Sequence, residues 1–196
     1  MGSLSAGHLS ILTLSMSRLY QIQSFVETGT FRGETTRWAA GVFASVKSIE
    51  MHDDTYAQAC LSLADLPNVE LFHGDSASTL AQIVPSLTEP TIFWLDAHSG
   101  GGNFGSEDYC PLLDEIAAIR SSRLPHILLI DDARAFLAPP PPPFIPERWP
   151  GLSEVILALN QGQPCFTMTL CDAIIAAPPE TRPLLTNFSA AVRPKI

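Results

Sequence analysis

Hydrophobic and polar positions along the chain follow two different periods. Short runs of apolar and β-branched residues alternate with longer segments in which apolar residues recur every three or four positions. The short runs predict strands and the longer segments predict amphipathic helices. Their alternation from Ser24 onward predicts a parallel sheet with helices on both faces. The predicted strands are residues 24–27, 48–51, 69–73, 91–95, 127–130, 166–170 and 173–177.

Helical periodicity fills most of the intervals between these strands. The predicted helices are residues 34–45, 53–64, 76–83, a segment from 111 onward, and 152–160. Asp53 is placed to cap the second of them, and a tight corner at Cys171 and Asp172 joins the last two strands. We expect one domain over residues 24–180, preceded by a partly helical or disordered segment (1–23) and followed by a tail (181–196).

Composition narrows the class of partner. The chain has 196 residues, a formal charge of −9 and only two lysines, Lys47 and Lys195. Nucleic-acid binding needs clustered basic residues, so we expect a small-molecule substrate and no nucleic-acid partner. The cysteines at positions 60, 110, 165 and 171 form no C-x-x-C pair, which indicates free thiols rather than a zinc or disulfide framework. No signal peptide or membrane-spanning stretch is expected, and we predict a cytoplasmic protein.

A glycine turn follows the first predicted strand. The strand runs into the pattern Glu27-x-Gly29-x-x-x-Gly33 and then into a helix. Glycines let the backbone bend and approach a ligand, and the start of a helix offers free N–H donors. Glu50 ends the next apolar run, 21 residues after Gly29, where its carboxylate could accept hydrogen bonds from a ribose diol. An ordinary strand–turn–helix corner is the alternative interpretation.

The glycine spacing argues against a dinucleotide. A G-x-G-x-x-G fingerprint would need glycines where this chain has Gly29, Phe31 and Glu34. Phe31 would crowd a pyrophosphate, and Glu34 would place negative charge beside it. Glu27 instead suits a ligand that carries a positive amino or sulfonium group.

The carboxyl ends of the predicted strands carry most of the candidate chemistry. Ligands of open parallel sheets bind at this edge. Any one of the acids there could serve only as a helix cap, but capping explains poorly why all of them converge. The residues that follow the strands are Glu27, Glu50, Asp75, Asp96, His98, Asp131 and Asp132.

The acid-x-Gly-x-x-x-Gly turn with its downstream acid resembles the first motif of class I S-adenosylmethionine-dependent methyltransferases. The resemblance implies a three-layer, Rossmann-like α/β fold, whose mostly parallel seven-stranded sheet ends in an antiparallel hairpin, and S-adenosylmethionine as cofactor. It also implies that Glu50 holds the ribose and that Asp75 and Ser76 meet the adenine. The remaining residues expected around the cofactor, chiefly its methionine part, are Glu27, Thr28, Gly29, Thr30, Gly33 and Asp96.

A second resemblance concerns Asp96, Asp131 and Asp132. Some metal-dependent small-molecule O-methyltransferases of this fold bind a divalent cation with acids after the fourth and fifth strands, which implies magnesium here. Those enzymes commonly use a lysine as base, but this chain has no lysine between positions 48 and 194. His98 is the substitute, acting with Asp96 as the predicted catalytic pair. A structural role for His98 is the alternative.

Two loops flank this cluster. Residues 96–102 and 107–115 resemble a recurrent stretch in poorly characterised bacterial methyltransferase-like proteins, and the glycines either let a loop close over substrate or form a plain connection. Residues 138–150 hold seven prolines. They predict a stiff lid beside the site, with a ligand for an adaptor domain as the alternative. Trp149 could touch substrate, whereas Trp38 and Trp94 are expected in the core.

These features together predict methyl transfer from S-adenosylmethionine to a hydroxyl of a small molecule, such as a sugar or secondary metabolite. The alternatives are a methyltransferase-like protein that binds the cofactor without methyl transfer, and a metal-dependent hydrolase or hydroxylase that uses the acids alone. Because few residues precede the first strand, we expect a homodimer in which the partner subunit covers the pocket, with an open pocket as the alternative.

Overall fold

The computed structural model describes residues 4, 6–98, 110–138, 140–142 and 144–192. Within these ranges the backbone forms one seven-stranded sheet in the order β3-β2-β1-β4-β5-β7-β6. Strands β1 to β5 are parallel, and β7 runs antiparallel to both β5 and β6. The strands are β1 Ser24–Thr28, β2 Ser45–Glu50, β3 Val69–His73, β4 Thr91–Leu95, β5 Ile127–Ile130, β6 Phe166–Leu170 and β7 Ala173–Ala177. The predicted mostly parallel sheet with a C-terminal antiparallel hairpin is confirmed.

Helices pack on both faces of this sheet. In the described ranges they are α1 Gly7–Tyr20, α2 Glu34–Ala40, α3 Asp53–Ser62, α4 Ser76–Ile83, α5 Leu112–Arg120, α6 Ala133–Leu137, α7 Leu152–Leu159 and α8 Arg182–Val192. Short 3₁₀ turns lie at Val84–Ser86, Pro146–Arg148 and Pro179–Thr181. None of the helices in the described part of the chain combines the length and apolar composition needed to cross a membrane.

Side-chain alternation along the central strands divides the core into two layers. On one face, Val26 and Phe93 pack with apolar residues of α4, α5 and α7. On the other face, Phe25 and Trp94 pack with α1, α2 and α8. The helices outside residues 24–180 therefore contribute to the same core as the sheet, and Trp94 is a core residue as predicted.

Two local predictions were wrong. The first helix was expected to reach residue 45, but α2 ends at Ala40 because the chain turns at Gly41, where the N–H groups of Gly41 and Val42 donate to the carbonyls of Trp38 and Ala39. Strand β2 consequently starts at Ser45, three residues earlier than predicted.

The second wrong prediction concerns Asp53. It is the first residue of α3 rather than its cap, and its Oδ1 lies 3.0 Å from Nε2 of His73.

The topology brings the ends of β1, β2, β3, β4 and β5 to one edge of the sheet. Strand order reverses between β1 and β4, since β1 continues to β2 on one side and the chain returns to β4 on the other. Such a switch point leaves a crevice outside the carboxyl ends of the two strands. The candidate residues of the sequence follow these strand ends.

Candidate functional site

The turn after β1 requires both of its glycines. Gly29 has a φ of +83° and Gly33 a φ of +76°, in the region that favours glycine. A side chain at Gly29 would collide with the carbonyl oxygen of Asp96, and one at Gly33 would collide with Leu63. The N–H groups of Gly29 and Thr30 both donate to the carbonyl of Ile49, at 2.9 and 3.2 Å. The turn is thereby held against the end of β2, with bare backbone facing the crevice.

A hydrogen-bonded network lies beneath this turn. The buried Glu27 carboxylate accepts hydrogen bonds from the hydroxyls of Thr36 and Ser48, the latter at 2.7 Å. The hydroxyl of Thr30 lies 2.6 Å from that of Ser48. Burial raises the pKa of Glu27 to about 7, although both hydrogen bonds lower it. Glu27 therefore gains or loses its charge near neutral pH, and a nearby cation would favour the charged form.

Glu50 is fixed at the end of β2 by two backbone donors. Its Oε2 accepts the N–H of Phe31 and its Oε1 accepts the N–H of His52, both at 2.9 Å. A carboxylate oxygen can accept more than one hydrogen bond, so Glu50 keeps acceptor capacity for a ligand. The side chain is thus buried, oriented and still able to bind hydroxyl groups.

A cleft opens above Glu50. It contains about 320 Å³ of empty space, including the part open to solvent. Its lining residues are Gly29, Ile49, Glu50, Met51, His52, Gly74, Ser76 and Ala97. Of the predicted cofactor residues, the structure therefore brings Gly29, Glu50 and Ser76 together in the lining of one cleft.

The other predicted cofactor residues are not among those that line the cleft. Thr28 is buried, and its hydroxyl oxygen accepts the N–H of Asp96 at 3.3 Å. Asp75 caps α4 by accepting the N–H of Ser78 at 2.8 Å. Glu27, Thr30 and Gly33 belong to the turn and the hydrogen-bonded network next to Gly29.

The acids after β4 and β5 share a crowded edge, at which Asp131 is buried and the side chains of Asp96 and Asp132 are 35% and 25% exposed. Burial raises the pKa of Asp96 well above its usual value, and the charges of Asp131, Asp132 and Glu27 raise it further. Burial likewise raises the pKa of Asp131 to about 6. Asp132 has a φ of +52° and begins the turn into α6. Mutual repulsion and burial therefore favour protonation of at least part of this cluster.

His98 lies between the acids that follow neighbouring strands. Its Nδ1 is 3.6 Å from Oδ1 of Asp96, and its Nε2 is 3.7 Å from Oδ2 of Asp132. The side chain is only 6% exposed, with its ring 5.9 Å from that of Phe136 and 5.5 Å from that of Trp149. Burial lowers the pKa of His98, so the imidazole is neutral near pH 7 and can accept a proton. Its buried Nε2 meets no hydrogen-bond partner among the described residues.

The predicted magnesium site does not fit the described residues. Within the described ranges, no group of three or more His, Cys, Asp or Glu side chains could hold one ion. Arg134 places Nη2 at 2.8 Å from Oδ1 of Asp132 and also pairs with Asp172. A guanidinium therefore occupies one side of Asp132, where the resemblance to metal-dependent enzymes implies a cation. Asp96, Asp131 and Asp132 lie at one edge without forming a ligand set.

Sequence reasoning missed part of the site. Met51, His52 and Ala97 line the cleft, and they come after Glu50 and Asp96, which the sequence did single out. Glu115, a buried acid on α5 beside Thr28, was also missed. It could have been found in the sequence, because it lies on the helix stripe formed by the apolar residues 112, 116 and 119, where a carboxylate is unexpected.

Comparisons with known proteins bear on the fold. No model of a known protein family matches the chain, and no curated protein matches its sequence. Solved structures do match. The O-methyltransferase TomG of Streptomyces achromogenes, in complex with S-adenosylmethionine and involved in tomaymycin synthesis, has 17% identity and a TM-score of 0.57 over 86% of this chain and 77% of its own.

Two further matches contain S-adenosylhomocysteine. An O-methyltransferase of Bacillus cereus has 16% identity and a TM-score of 0.59, over 88% of this chain and 81% of its own. The methyltransferase PaMTH1 of Podospora anserina has 15% identity and a TM-score of 0.60, over 86% and 76%. At such identities the likeness concerns the fold alone. The chain has the class I fold of S-adenosylmethionine-dependent methyltransferases.

Proposed function

We propose that this protein transfers a methyl group from S-adenosylmethionine to a hydroxyl of a small molecule. One observation carries the proposal: the cleft at the switch point of the sheet joins the bare Gly29 turn, the oriented Glu50 carboxylate and the start of α4. These are the groups that a nucleoside with a charged sulfonium substituent would need. The O-methyltransferases that share the fold support the choice of acceptor atom.

Each part of the cofactor would meet a different wall of the cleft. The ribose hydroxyls would donate to the remaining acceptor positions of Glu50. The adenine would lie toward Ser76 and the α4 N-terminus that Asp75 caps. The methionine part would lie along the Gly29 turn, above Glu27, whose ionised form a sulfonium would stabilise. Thr28, Thr30 and Gly33 would hold the shape of this turn.

The reaction requires a base near the acceptor hydroxyl. When bound, S-adenosylmethionine would supply the methyl group: an oxygen–carbon bond would form as the carbon–sulfur bond breaks and its electron pair returns to sulfur. The hydroxyl proton would pass to a base. We assign this role to the neutral imidazole of His98, with Asp96 and Asp132 placed to stabilise the imidazolium that forms. Burial beside Trp149 would keep the ring in place.

The test is transfer of labelled methyl from S-adenosylmethionine to a panel of sugars and other small hydroxyl compounds. We expect transfer by the wild-type protein and a loss of about 10²- to 10⁴-fold in His98→Asn, with the affinity for S-adenosylhomocysteine unchanged. Equal rates in the two proteins would contradict the role of His98. His8→Asn, on the exposed part of α1, is the matched control and should leave the rate unchanged.

A cofactor-binding protein without methyl transfer is the second candidate. The observation that favours it is the guanidinium of Arg134 beside Asp132, which fills part of the edge where an acceptor would be activated. Binding of S-adenosylhomocysteine without transfer to any hydroxyl of the panel would support this candidate instead.

A further inference from the structure

Helix α5 buries an acid beneath the cleft. Glu115 is 2% exposed and lies on the stripe of the helix that otherwise carries Leu112, Ile116 and Ile119. Its carboxylate lies beside the hydroxyls of Thr28 and Ser76, which lower its pKa. The stripe packs against the sheet, so an aliphatic side chain would suit this position better than a carboxylate.

Two buried polar atoms at this place are left without partners. Among the described residues, neither Oε1 of Glu115 nor Oγ of Ser76 has a neighbour in hydrogen-bond geometry. Ser76 is 5% exposed and yet lines the cleft. The Glu115 carboxylate lies beside the Ser76 hydroxyl without meeting it in hydrogen-bond geometry, so the Ser76 oxygen at the wall of the cleft is left able to bind a ligand.

The contacts of Glu115 join the two sides of the cleft. Thr28 is the last residue of β1, and its hydroxyl oxygen accepts the N–H of Asp96 just past β4. Ser76 is the first residue of α4. One carboxylate therefore lies beside the residue before the Gly29 turn and beside a residue of the opposite wall.

The charge environment of Glu115 fits a group near its titration point. Burial raises its pKa to about 7, and the charges of Asp75 and Asp114 raise it further, against the effect of the two hydroxyls. An ionised carboxylate accepts hydrogen bonds from both hydroxyls, whereas a protonated one can also donate. Either form can orient Ser76.

We propose that Glu115 is a positioning residue for the cofactor: it orients the hydroxyl of Ser76 toward the adenine side of the cleft, and it holds the hydroxyl of Thr28 so that its oxygen accepts the N–H of Asp96. The inference rests on the proposed function, because it names the cofactor as the missing partner of Ser76. Glu115 itself does not touch the ligand. Its effect reaches the cleft through the two hydroxyls.

The test compares cofactor affinity with folding stability in the same variants. We expect Glu115→Leu to bind S-adenosylhomocysteine about tenfold more weakly than the wild type, while the unliganded variant unfolds at the same or a higher temperature. Glu115→Gln keeps a carbonyl acceptor and should lose less affinity. Asp114→Asn, at the exposed acid next to it on α5, is the control: it removes only the smallest of the effects on the Glu115 pKa, and both quantities should stay close to those of the wild type.

A double-mutant cycle tests the route of the effect. Ser76→Ala should also weaken binding, and the combination with Glu115→Leu should cost little more than the larger single loss, because the two residues act as a unit. Fully additive losses would overturn the proposal. If Glu115→Leu does not fold, the same cycle with Glu115→Gln gives the answer.

Three further results would overturn the inference. Unchanged affinity in Glu115→Leu, with wild-type binding intact, would overturn it and leave the proposed function standing. A fall in unfolding temperature that accompanies the loss of affinity would indicate a purely structural role. Absence of binding by the wild type would overturn both the inference and the proposed function.

Discussion

At the scale of single residues, two buried glutamates lie at β1, the strand that ends in the glycine turn. Glu27 lies on β1 and Glu115 lies beside Thr28, and burial raises the pKa of each to about 7 from an ordinary 4.5. Between pH 4.5 and pH 7 these glutamates are protonated in the folded protein but ionised in the unfolded chain. The contribution of the two protonated glutamates to stability is therefore complete below about pH 4.5 and is lost as the pH rises through about 7.

This linkage gives a pH-dependent prediction for Glu115→Gln. The variant cannot ionise, so its free energy of unfolding should fall less than that of the unliganded wild type between pH 5 and pH 8. The two decreases in the free energy of unfolding should differ by up to about 3 kcal/mol, which corresponds to the full pKa change. Urea unfolding at several pH values measures it. Parallel pH profiles would show that Glu115 does not titrate differently in the folded and unfolded states.

Gly29 gives a prediction about backbone geometry. Gly29→Ala should destabilise the fold by about 2 kcal/mol or more, because the positive φ is strained for alanine and the new Cβ collides with the backbone of Asp96. Gly41→Ala is the control: its φ of −80° suits alanine, and stability should stay the same or rise. Thermal unfolding measures both. Equal effects of the two substitutions would contradict the assignment of the turn.

At the scale of elements, the segment after α6 holds His98 in place. Trp149 follows the short turn Pro146–Arg148 and is only 8% exposed. Its ring contacts those of His98, Phe136 and Phe144. The sequence predicted a stiff lid over residues 138–150, of which 139 and 143 lie outside the described residues, and a tryptophan that could touch substrate; the structure places the tryptophan against the histidine, and the lid and the substrate contact both stay predictions.

Trp149→Ala should therefore lower both stability and methyl transfer. We expect a loss of about 3 kcal/mol in the free energy of unfolding, typical of a large buried aromatic residue, and a slower rate because the His98 ring loses its support. Trp149→Phe should retain much of both. Leu157→Ala, at a 68% exposed position on α7, serves as the control and should change little. An unaffected rate in a folded Trp149→Ala protein would contradict the contact's role.

Element boundaries show what local sequence signals could predict. Apart from β2, the strands of the sheet were predicted to within a residue, because their apolar runs are bounded by turns. Helix α2 ended early because Gly41 stopped it, a signal that the apolar run through Val42 and Phe43 concealed. Asp53 pairs with His73 of β3 and does not cap α3, because its contact depends on how the helix packs against the neighbouring strand.

At the scale of the whole molecule, the site follows from topology. The order of the strands brings five strand ends to one edge, so a list of residues that follow strands contained Glu50 and His98. The layout of seven strands with a closing hairpin came from the resemblance to methyltransferases, whereas the order of the strands was first given by the structure. The sequence could not show whether Asp96, Asp131 and Asp132 can bind one ion. That depends on the distances between their carboxylates and on the ion pair of Asp132 with Arg134 of α6, and no sequence pattern specified these distances or this ion pair.

The central claim is that the cleft binds an adenosyl cofactor through Glu50. Isothermal titration with S-adenosylhomocysteine tests it most directly, with Glu50→Ala as the variant and Glu70→Ala, an exposed acid on β3, as the control. We predict binding by the wild type and by Glu70→Ala, and a loss of about 10- to 100-fold in Glu50→Ala, as expected for a charged hydrogen-bond acceptor. No binding by the wild type, or equal affinity in Glu50→Ala, would contradict the account.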